Sequence, residues 1–164
     1  MLRLRPMDEE GFRAFLDRAV PRRAERWVRR GLWTEEQALE ASRREYAESF
    51  PQGRSTLGQF FADAVEDTTA TVVGEAWYSA RTLGGKVEFW IQWISIWPEF
   101  RRQGYGARLL GLLEDEARRR GADRTLLTVW TDNPSAQALY ARLGYVVTNV
   151  TMAKPVPPLS GEAP

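Results

Sequence analysis

The sequence predicts a mixed α/β fold in a single domain, and three observations support this prediction. Three apolar segments between residues 60 and 97 are separated by short turns, which is typical of an antiparallel meander. The last of these segments leads through a glycine-containing turn into an amphipathic helix. The chain has 164 residues, of which 43% are hydrophobic, and this is enough to bury one core. We therefore expect one domain over residues 1–154 and a disordered, proline-rich tail over residues 155–164.

The first part of the chain is predicted to form one strand and then two helices. Apolar and basic residues alternate over residues 2–5, which indicates a short strand. Asp8 is a suitable N-cap for a helix that runs to Val20, because Pro21 is expected to lie beyond its end. A second helix is predicted over residues 22–30.

A third helix and the meander follow. Thr34 and Gln37 have the spacing of a capping box, which predicts a helix that begins there and ends before Pro51. The strands of the meander are predicted over residues 60–66, 71–79 and 87–97. The segments 67–69 and 83–86 supply the turns between them.

The remaining chain alternates helix and strand. A helix is predicted over residues 103–120, where leucines recur at helical spacing and Gly121 follows as the C-cap. A strand over residues 124–130 and a helix over residues 133–143 come next. Residues 145–154 are predicted to form a last strand or strand pair.

Composition restricts the chemistry that this chain can perform. Without cysteine it forms no disulfide, thiolate metal site or acyl-cysteine, and without histidine it lacks the commonest base and metal ligand. We therefore expect no metal site. The 23 basic and 22 acidic residues give a net charge of +1, and arginine pairs in helices are interpreted as solvated faces, so no nucleic-acid partner is expected. The chain has no membrane-length apolar segment and no signal-peptide pattern at its start, which predicts a cytoplasmic protein.

The turn after the third meander strand has the features of an anion-binding site. Its sequence is Arg101-x-x-Gly104-x-Gly106, and the glycines lie at the start of a helix. Glycine lets the backbone approach a ligand closely, and the first N–H groups of a helix point outward at its positive end. A diphosphate fits such a turn, and an ordinary strand-to-helix turn is the alternative.

This turn resembles the Arg/Gln-x-x-Gly-x-Gly/Ala signature of the Gcn5-related N-acetyltransferase (GNAT) superfamily. A second segment, from Asn133 to Tyr145, is similar to another signature block of that family, and the separation of the two segments also fits. The resemblance implies a mixed sheet in which two neighbouring parallel strands splay apart and acetyl-CoA lies between them. It also implies direct acetyl transfer to the amine of a small molecule or a peptide, within a ternary complex.

The resemblance further implies which residues bind acetyl-CoA. The pantetheine arm is expected to pair with the exposed backbone of the strand before the turn, and the pyrophosphate with amides of the turn itself. Asn133 is expected to contact the cofactor, although its position as a helix N-cap explains it equally well. The implied cofactor-binding residues are Ile94, Ser95, Ile96, Arg101, Arg102, Gln103, Gly104, Tyr105, Gly106, Ala107 and Asn133.

By the same resemblance, Tyr140 is the general acid that protonates the departing CoA thiolate, and a packed core aromatic is the alternative. A phenol with a pKa of about 10 can protonate a thiolate with a pKa of about 8.5 when a dry site holds the two together. No histidine or cysteine is present to replace it.

The general base departs from the family pattern. At the family's usual carboxylate positions this chain has Trp90, Trp93, Ser95 and Thr128. Glu88 and Glu75 are the nearest carboxylates, and each is also explained as a solvated strand residue. Glu88 is our catalytic candidate, and strand periodicity puts it on the face of Ile94 and Ile96 unless a bulge intervenes. Because Glu88 lies about 26 Å of strand from Ile96, we expect it to act only through water.

The acceptor is less well defined than the cofactor. Aromatic residues such as Trp27, Trp77 and Trp93 are core residues or walls of an acceptor pocket. An aromatic pocket would suit a cationic or apolar amine, and peptides and polyamines stay equally open. A non-catalytic acyl-CoA-binding or regulatory module on the same fold is the alternative function. A homodimer is one option for the assembly.

Overall fold

The sheet is mixed, with four antiparallel strands followed by one parallel strand. The computed structural model describes residues 1–154 and 156, and within them the strand order is β1-β2-β3-β4-β5. The strands are β1 Leu2–Pro6, β2 Gln59–Glu66, β3 Val72–Leu83, β4 Lys86–Ile96 and β5 Arg124–Leu127. Neighbours pair antiparallel from β1 to β4, and β4 pairs parallel with β5. The predicted meander and the predicted mixed α/β fold are confirmed.

Four helices lie within the described residues. They are α1 Glu9–Arg29, α2 Glu35–Ser49, α3 Tyr105–Arg119 and α4 Pro134–Arg142. Asp8 caps α1 as predicted, because its Oδ1 accepts the Gly11 N–H at 2.8 Å. Thr34 is the N-cap of α2, but its side chain makes no capping hydrogen bond, so the predicted capping box is not formed. None of these helices is both long and apolar enough to cross a bilayer.

α1 is one continuous helix, and the predicted break at Pro21 is wrong. A proline inside a helix removes one backbone hydrogen bond and costs about 3 kcal/mol. Pro21 lies on the exposed side of α1, while Val20 before it and Ala24 after it are buried. Burial of apolar side chains on both sides of the proline offsets this cost and keeps the two segments in one helix. The chain turns only at Gly31, where φ is +69°.

α1 and α2 cover one face of the sheet with an aromatic core. Phe61 of β2 points to this face, and its ring lies 4.7 Å from that of Phe12 on α1. The buried members of this core are Met7, Phe12, Phe15, Ala19, Val20, Tyr46, Phe50 and Phe61. α3 packs against β1, β4 and β5. Phe60 points to the face opposite Phe61, and the guanidinium of Arg120 lies 3.6 Å from the Phe60 ring centre. Both faces of the central strands are therefore covered.

Among the described residues, 130–154 belong to a second compact unit, separate from residues 1–129. Residues 145–154 form neither helix nor strand, so the strand predicted there is wrong. Their apolar side chains, including Val146 and Val150, are exposed. Residues that favour strands by composition form one only when a neighbouring strand pairs with their backbone.

The domain limits stay a prediction. The tail expected over residues 155–164 lies, apart from Val156, outside the residues that the structure describes. The single domain expected over residues 1–154 contains the boundary between the two compact units.

Candidate active site

The parallel end of the sheet opens where β4 extends beyond β5. The two strands pair from Glu88 and Arg124 to Ile91 and Leu127, and β5 ends there. β4 continues to Ile96, so residues 92–96 have no pairing to β5. This gap lies at the position where the resemblance implied that parallel strands splay apart.

The open edge of β4 presents backbone groups of Ile94 and Ile96. Just past the end of β4, the Trp97 N–H donates to the Val73 carbonyl of β3 at 2.9 Å, so the backbone groups of Trp97 point toward β3. Along an antiparallel strand, alternate residues direct their N–H and C=O groups toward and away from the partner. Ile94 and Ile96 therefore direct theirs away from β3, into the gap. Ser95 directs its backbone groups toward β3, so they do not reach a ligand in the gap.

β3 and β4 approach each other very closely at Gly74. A Cβ at this position would lie 2.3 Å from the Ser95 carbonyl oxygen and 2.9 Å from Cδ1 of Ile96. No larger residue fits without moving the β4 backbone. Gly74 therefore fixes the strand segment that presents the open edge.

The turn between β4 and α3 is held by its own side chains. Arg101 Nε donates to the Ile96 carbonyl at 3.0 Å, and Gln103 Nε2 donates to the Glu99 carbonyl at 2.9 Å. Both residues were predicted to bind the cofactor, and the side chains of both are used within the turn. Arg102 has a left-handed backbone, with φ of +62°, and its side chain is exposed.

α3 begins directly after Gly104, and no side chain of the described residues caps its first amides. Gly104 is the N-cap, with φ of +82°, and supplies no capping group. Tyr105, Gly106 and Ala107 occupy the first three helical positions, where the N–H groups have no partner within the helix. The exposed Arg108 stacks on the Tyr105 ring at 5.0 Å. The free amides, the positive end of the helix dipole and the Arg108 cation together favour binding of an anion at the start of α3.

The side chain of Tyr105 turns away from this helix start. It is buried, and its hydroxyl donates to Oε1 of Glu66 at 2.7 Å. This hydrogen bond raises the pKa of Tyr105 and lowers the pKa of Glu66. Of Tyr105, therefore, only the backbone amide is available to a ligand.

Glu88 is buried, and its carboxylate is occupied by ion pairs. It accepts hydrogen bonds from Arg81 at 3.0 Å and from the Trp90 indole at 3.1 Å, and it contacts Arg124 of β5. The hydrogen bond from Arg124, followed by that from Trp90, lowers the pKa of Glu88 to about 2. A general base works best with a pKa near the working pH, so this environment does not fit the predicted role. The alternative, a solvated strand residue, is also wrong because Glu88 is only 3% exposed.

A bulge at Gln92 changes which residues share a face of β4. The register between β3 and β4 shifts there by one residue. Because side chains alternate along a strand, such a shift exchanges the faces beyond it. Glu88 consequently lies on the face of Ser95, and not on the face of Ile94 and Ile96 as strict alternation predicts.

Glu75 of β3 is a second buried carboxylate, and it lies opposite Ser95. It is fully buried, and it accepts hydrogen bonds from Arg18 Nη2 at 2.6 Å and from the Trp93 indole at 3.1 Å. Burial raises the pKa of Glu75, and the hydrogen bond from Arg18 opposes this. The alternative expected from sequence, a solvated strand residue, is therefore wrong for Glu75. In the sequence, Glu75 is the one charged residue within the apolar segment 72–78, and this isolation is the feature that could have indicated a buried ion pair.

α4 holds the two remaining predicted residues. Asn133 Oδ1 accepts the Ala136 N–H at 3.2 Å and the Ser135 hydroxyl at 3.1 Å, which is the N-cap position expected from sequence. Tyr140 is half-buried, and its ring lies 5.8 Å from that of Tyr145. Burial raises the pKa of Tyr140. Its phenol is therefore protonated at neutral pH, as a proton donor must be.

Comparison with known proteins finds relatives among the acetyltransferases. A sequence profile described as the acetyltransferase (GNAT) family matches residues 13–145. Two uncharacterised N-acetyltransferases of Bacillus subtilis, YdgE and YycN, are 33% and 28% identical over 151 residues, which is 92% of this chain and 96% of each relative. The crystal structure of YycN, a putative acetyltransferase, has a TM-score of 0.88 at 27% identity and covers 96% of this chain and 100% of that one. A putative acetyl transferase from Pyrococcus furiosus shares the fold, with a TM-score of 0.67 at 21% identity over 95% of this chain and 100% of its own.

Proposed function

Because the chain belongs to the acetyltransferase (GNAT) family, we propose that it transfers an acetyl group from acetyl-CoA directly to an amine in a ternary complex. Membership of the family supports acetyl transfer in general. The direct route is supported by composition, because the sequence has no cysteine to form an acyl-cysteine. The acceptor amine belongs to a small molecule or a peptide.

One observation carries this proposal: the open edge of β4 leads into an uncapped helix start. Ile94 and Ile96 direct backbone groups into the gap, and Arg101 fastens the following turn to Ile96. A ligand with amides along one part and a diphosphate on another matches these two features in order. CoA is such a ligand, since its pantetheine arm carries amides and its nucleotide part carries the diphosphate.

The residues of this region fit acetyl-CoA. The backbone N–H and C=O of Ile94 would pair with the pantetheine arm. The Ile96 carbonyl already accepts from Arg101, so its N–H is the group left for the acetyl end of the ligand. The first amides of α3, at residues 105–107, would hold the pyrophosphate, and the exposed guanidiniums of Arg102 and Arg108 lie on the same turn. The side chains of Arg101 and Gln103 hydrogen-bond within the turn, and the buried side chain of Tyr105 hydrogen-bonds to Glu66.

Acetyl-CoA supplies a thioester, whose carbonyl carbon the amine attacks. The backbone N–H of Ile96 would polarise the carbonyl oxygen of this thioester. As the C–N bond forms and the C–S bond breaks, Tyr140 would give its phenolic proton to the thiolate. The proton that the amine loses passes to solvent, from which the phenolate is reprotonated.

No carboxylate near β4 acts as the base in this proposal. The pKa of Glu88 is lowered to about 2, and both carboxylate oxygens of Glu75 already accept hydrogen bonds. An alkylamine has a pKa of about 10.4, so most of it is protonated at neutral pH. The enzyme therefore takes the neutral amine from solution, and the rate rises with pH toward the pKa of the amine itself.

Release of the CoA thiol, measured with a panel of amines and peptides, tests the proposal. The protein has no cysteine, so a thiol reagent reports only on free CoA. We expect turnover with at least one amine, and calorimetry should show acetyl-CoA binding. Acetyl-CoA at about 100 times its Kd should also raise the free energy of unfolding by about 2.7 kcal/mol. Absence of binding at millimolar acetyl-CoA contradicts the proposal, whereas binding without turnover supports an acyl-CoA-binding module instead.

A further inference from the structure

Two arginines one turn apart on α1 lie over Trp93 of β4 and over Trp97, which directly follows β4. The guanidinium of Arg18 lies 5.0 Å from the ring centre of Trp97, and that of Arg22 lies 5.4 Å from that of Trp93. Arg22 Nη1 also donates to the Ser95 hydroxyl at 3.3 Å. From the sequence, the pair Arg22-Arg23 is interpreted as a solvated face. The structure instead places Arg22 on the strand whose edge is open.

The two arginines differ in how their charges are balanced. Arg18 forms an ion pair with the buried Glu75, with 2.6 Å between Nη2 and Oε2. Among the described residues, no carboxylate pairs with Arg22, which is exposed. A guanidinium stacked on an aromatic ring keeps its N–H edge free, and that edge matches a carboxylate or phosphate in a bidentate way. Arg22 is therefore held in place with its charge available to a ligand.

Arg26, one further turn along α1, adds a second positive charge, and no carboxylate in the described part of the chain pairs with it. It is half-buried, and its Cβ is expected about 6 Å from that of Arg22, as for any residues four apart on a helix. Burial lowers the pKa of Arg26, Tyr46 raises it, and the neighbouring charges of Arg23, Arg30 and Arg22 lower it. Like charges at this spacing repel each other, and a bound anion would relieve this repulsion.

Arg22 lies close to the place where the acetyl group would react. Its Nη1 lies within about 8 Å of the Ile96 amide nitrogen, because Ser95 connects the two through a short covalent path. This inference depends on the proposed function, in which the Ile96 amide marks the thioester carbonyl. We propose that Arg22, supported by Arg26, binds an oxyanion on the acceptor, so that the acceptor is an amine that also carries a carboxylate or phosphate a few bonds away.

Matched pairs of acceptors test this proposal. Amino acids with the carboxylate at increasing distance from the amine are compared with their amides, and aminoethyl phosphate is compared with ethanolamine. Thiol release gives kcat and KM, and calorimetry on the complex with CoA gives acceptor affinity without turnover. We expect at least one anionic acceptor to react and bind at least about tenfold better than its neutral partner. The carboxylate and phosphate arms show which oxyanion is preferred.

Arg22→Gln should raise KM for that acceptor at least about tenfold, with little change for the neutral partner and for acetyl-CoA. Arg13→Gln is the matched control, because Arg13 is exposed on the same helix and makes no ion pair among the described residues. Arg22→Lys should recover part of the loss, since it restores the charge without the planar fork.

Three outcomes overturn the proposal. These are no preference for any anionic acceptor by rate or binding, an equal loss in Arg13→Gln, and a loss in Arg22→Gln confined to acetyl-CoA. All three leave the proposed acetyl transfer standing when amines are turned over. Absence of acetyl-CoA binding instead overturns the proposed function itself.

Discussion

Replacing Gly104 by aspartate or by asparagine tests whether a phosphate binds at the start of α3. The two side chains have nearly the same shape, and both tolerate a left-handed backbone better than most residues do. A Cβ added at Gly104 meets nothing closer than Arg108 Nη2 at 3.7 Å, so both replacements fit without a clash. The two variants therefore differ in charge and hardly in bulk or strain.

The expected difference between the variants is large. A carboxylate on this turn would lie about 5 Å from a phosphate on the first amides of α3, where two unit charges repel by about 3 kcal/mol at an effective dielectric constant of about 20. The carboxylate would also pair with Arg108 and withdraw that cation from the ligand. Since about 1.4 kcal/mol corresponds to a tenfold change, Gly104→Asp should bind CoA about 100-fold more weakly than Gly104→Asn.

Isothermal calorimetry with CoA measures this difference, and circular dichroism checks that both variants are folded. Raising the salt concentration should narrow the gap between them, because ions screen repulsion at an exposed site. Equal affinity of both variants and the unaltered protein would refute the argument from the uncapped amides. A loss that is the same in both variants would show that bulk, and not charge, matters at this turn.

Three further predictions concern Tyr140 and Glu88. Tyr140→Phe should lower kcat by roughly 10²–10⁴ with CoA affinity unchanged by calorimetry, and unaltered turnover would leave Tyr140 with a packing role only. Glu88→Gln should lower kcat/KM by less than about tenfold, because Arg81 and Arg124 hold its carboxylate as an ion pair; a loss above about a hundredfold in a folded variant contradicts this. The third prediction concerns acid stability. The folded pKa of Glu88, about 2, lies below its ordinary 4.5, so its stabilisation is complete above pH 4.5 and is lost as the pH falls through 2. Urea unfolding between about pH 5 and pH 3 should therefore show a larger loss of stability in the unaltered protein than in Glu88→Gln, and equal losses would contradict the assignment.

Local sequence patterns were sufficient for most of the fold. Alternating apolar residues and short turns predicted the strands of the meander, because each strand has one neighbour close to it in sequence. Asp8 and Asn133 were recognised as N-caps because a cap depends on residues within one turn of it. Pro21 shows the limit of such reasoning. Its local preference ends a helix, and burial of Val20 and Ala24 in a core built from distant residues overrides that preference.

The sequence likewise predicted one part of the candidate site and not the other. The spacing of Arg101, Gly104 and Gly106 was visible in the sequence, and the helix start with free amides follows from these residues alone. The direction of the side chains was not visible. Arg101 and Tyr105 turn toward the backbone of β4 and toward Glu66, and only the folded chain brings these partners within reach.

The sequence by itself determined the strands of the meander and the position of the glycine turn, because these depend on contacts between residues close in the chain. It also determined that no cysteine or histidine takes part in the chemistry. Only the tertiary structure decided the roles of the carboxylates. Arg18 reaches Glu75 from 57 residues away, and Arg124 reaches Glu88 from 36 residues away. A charge within a strand has the same local sequence whether water or a distant arginine balances it, and packing alone distinguishes the two.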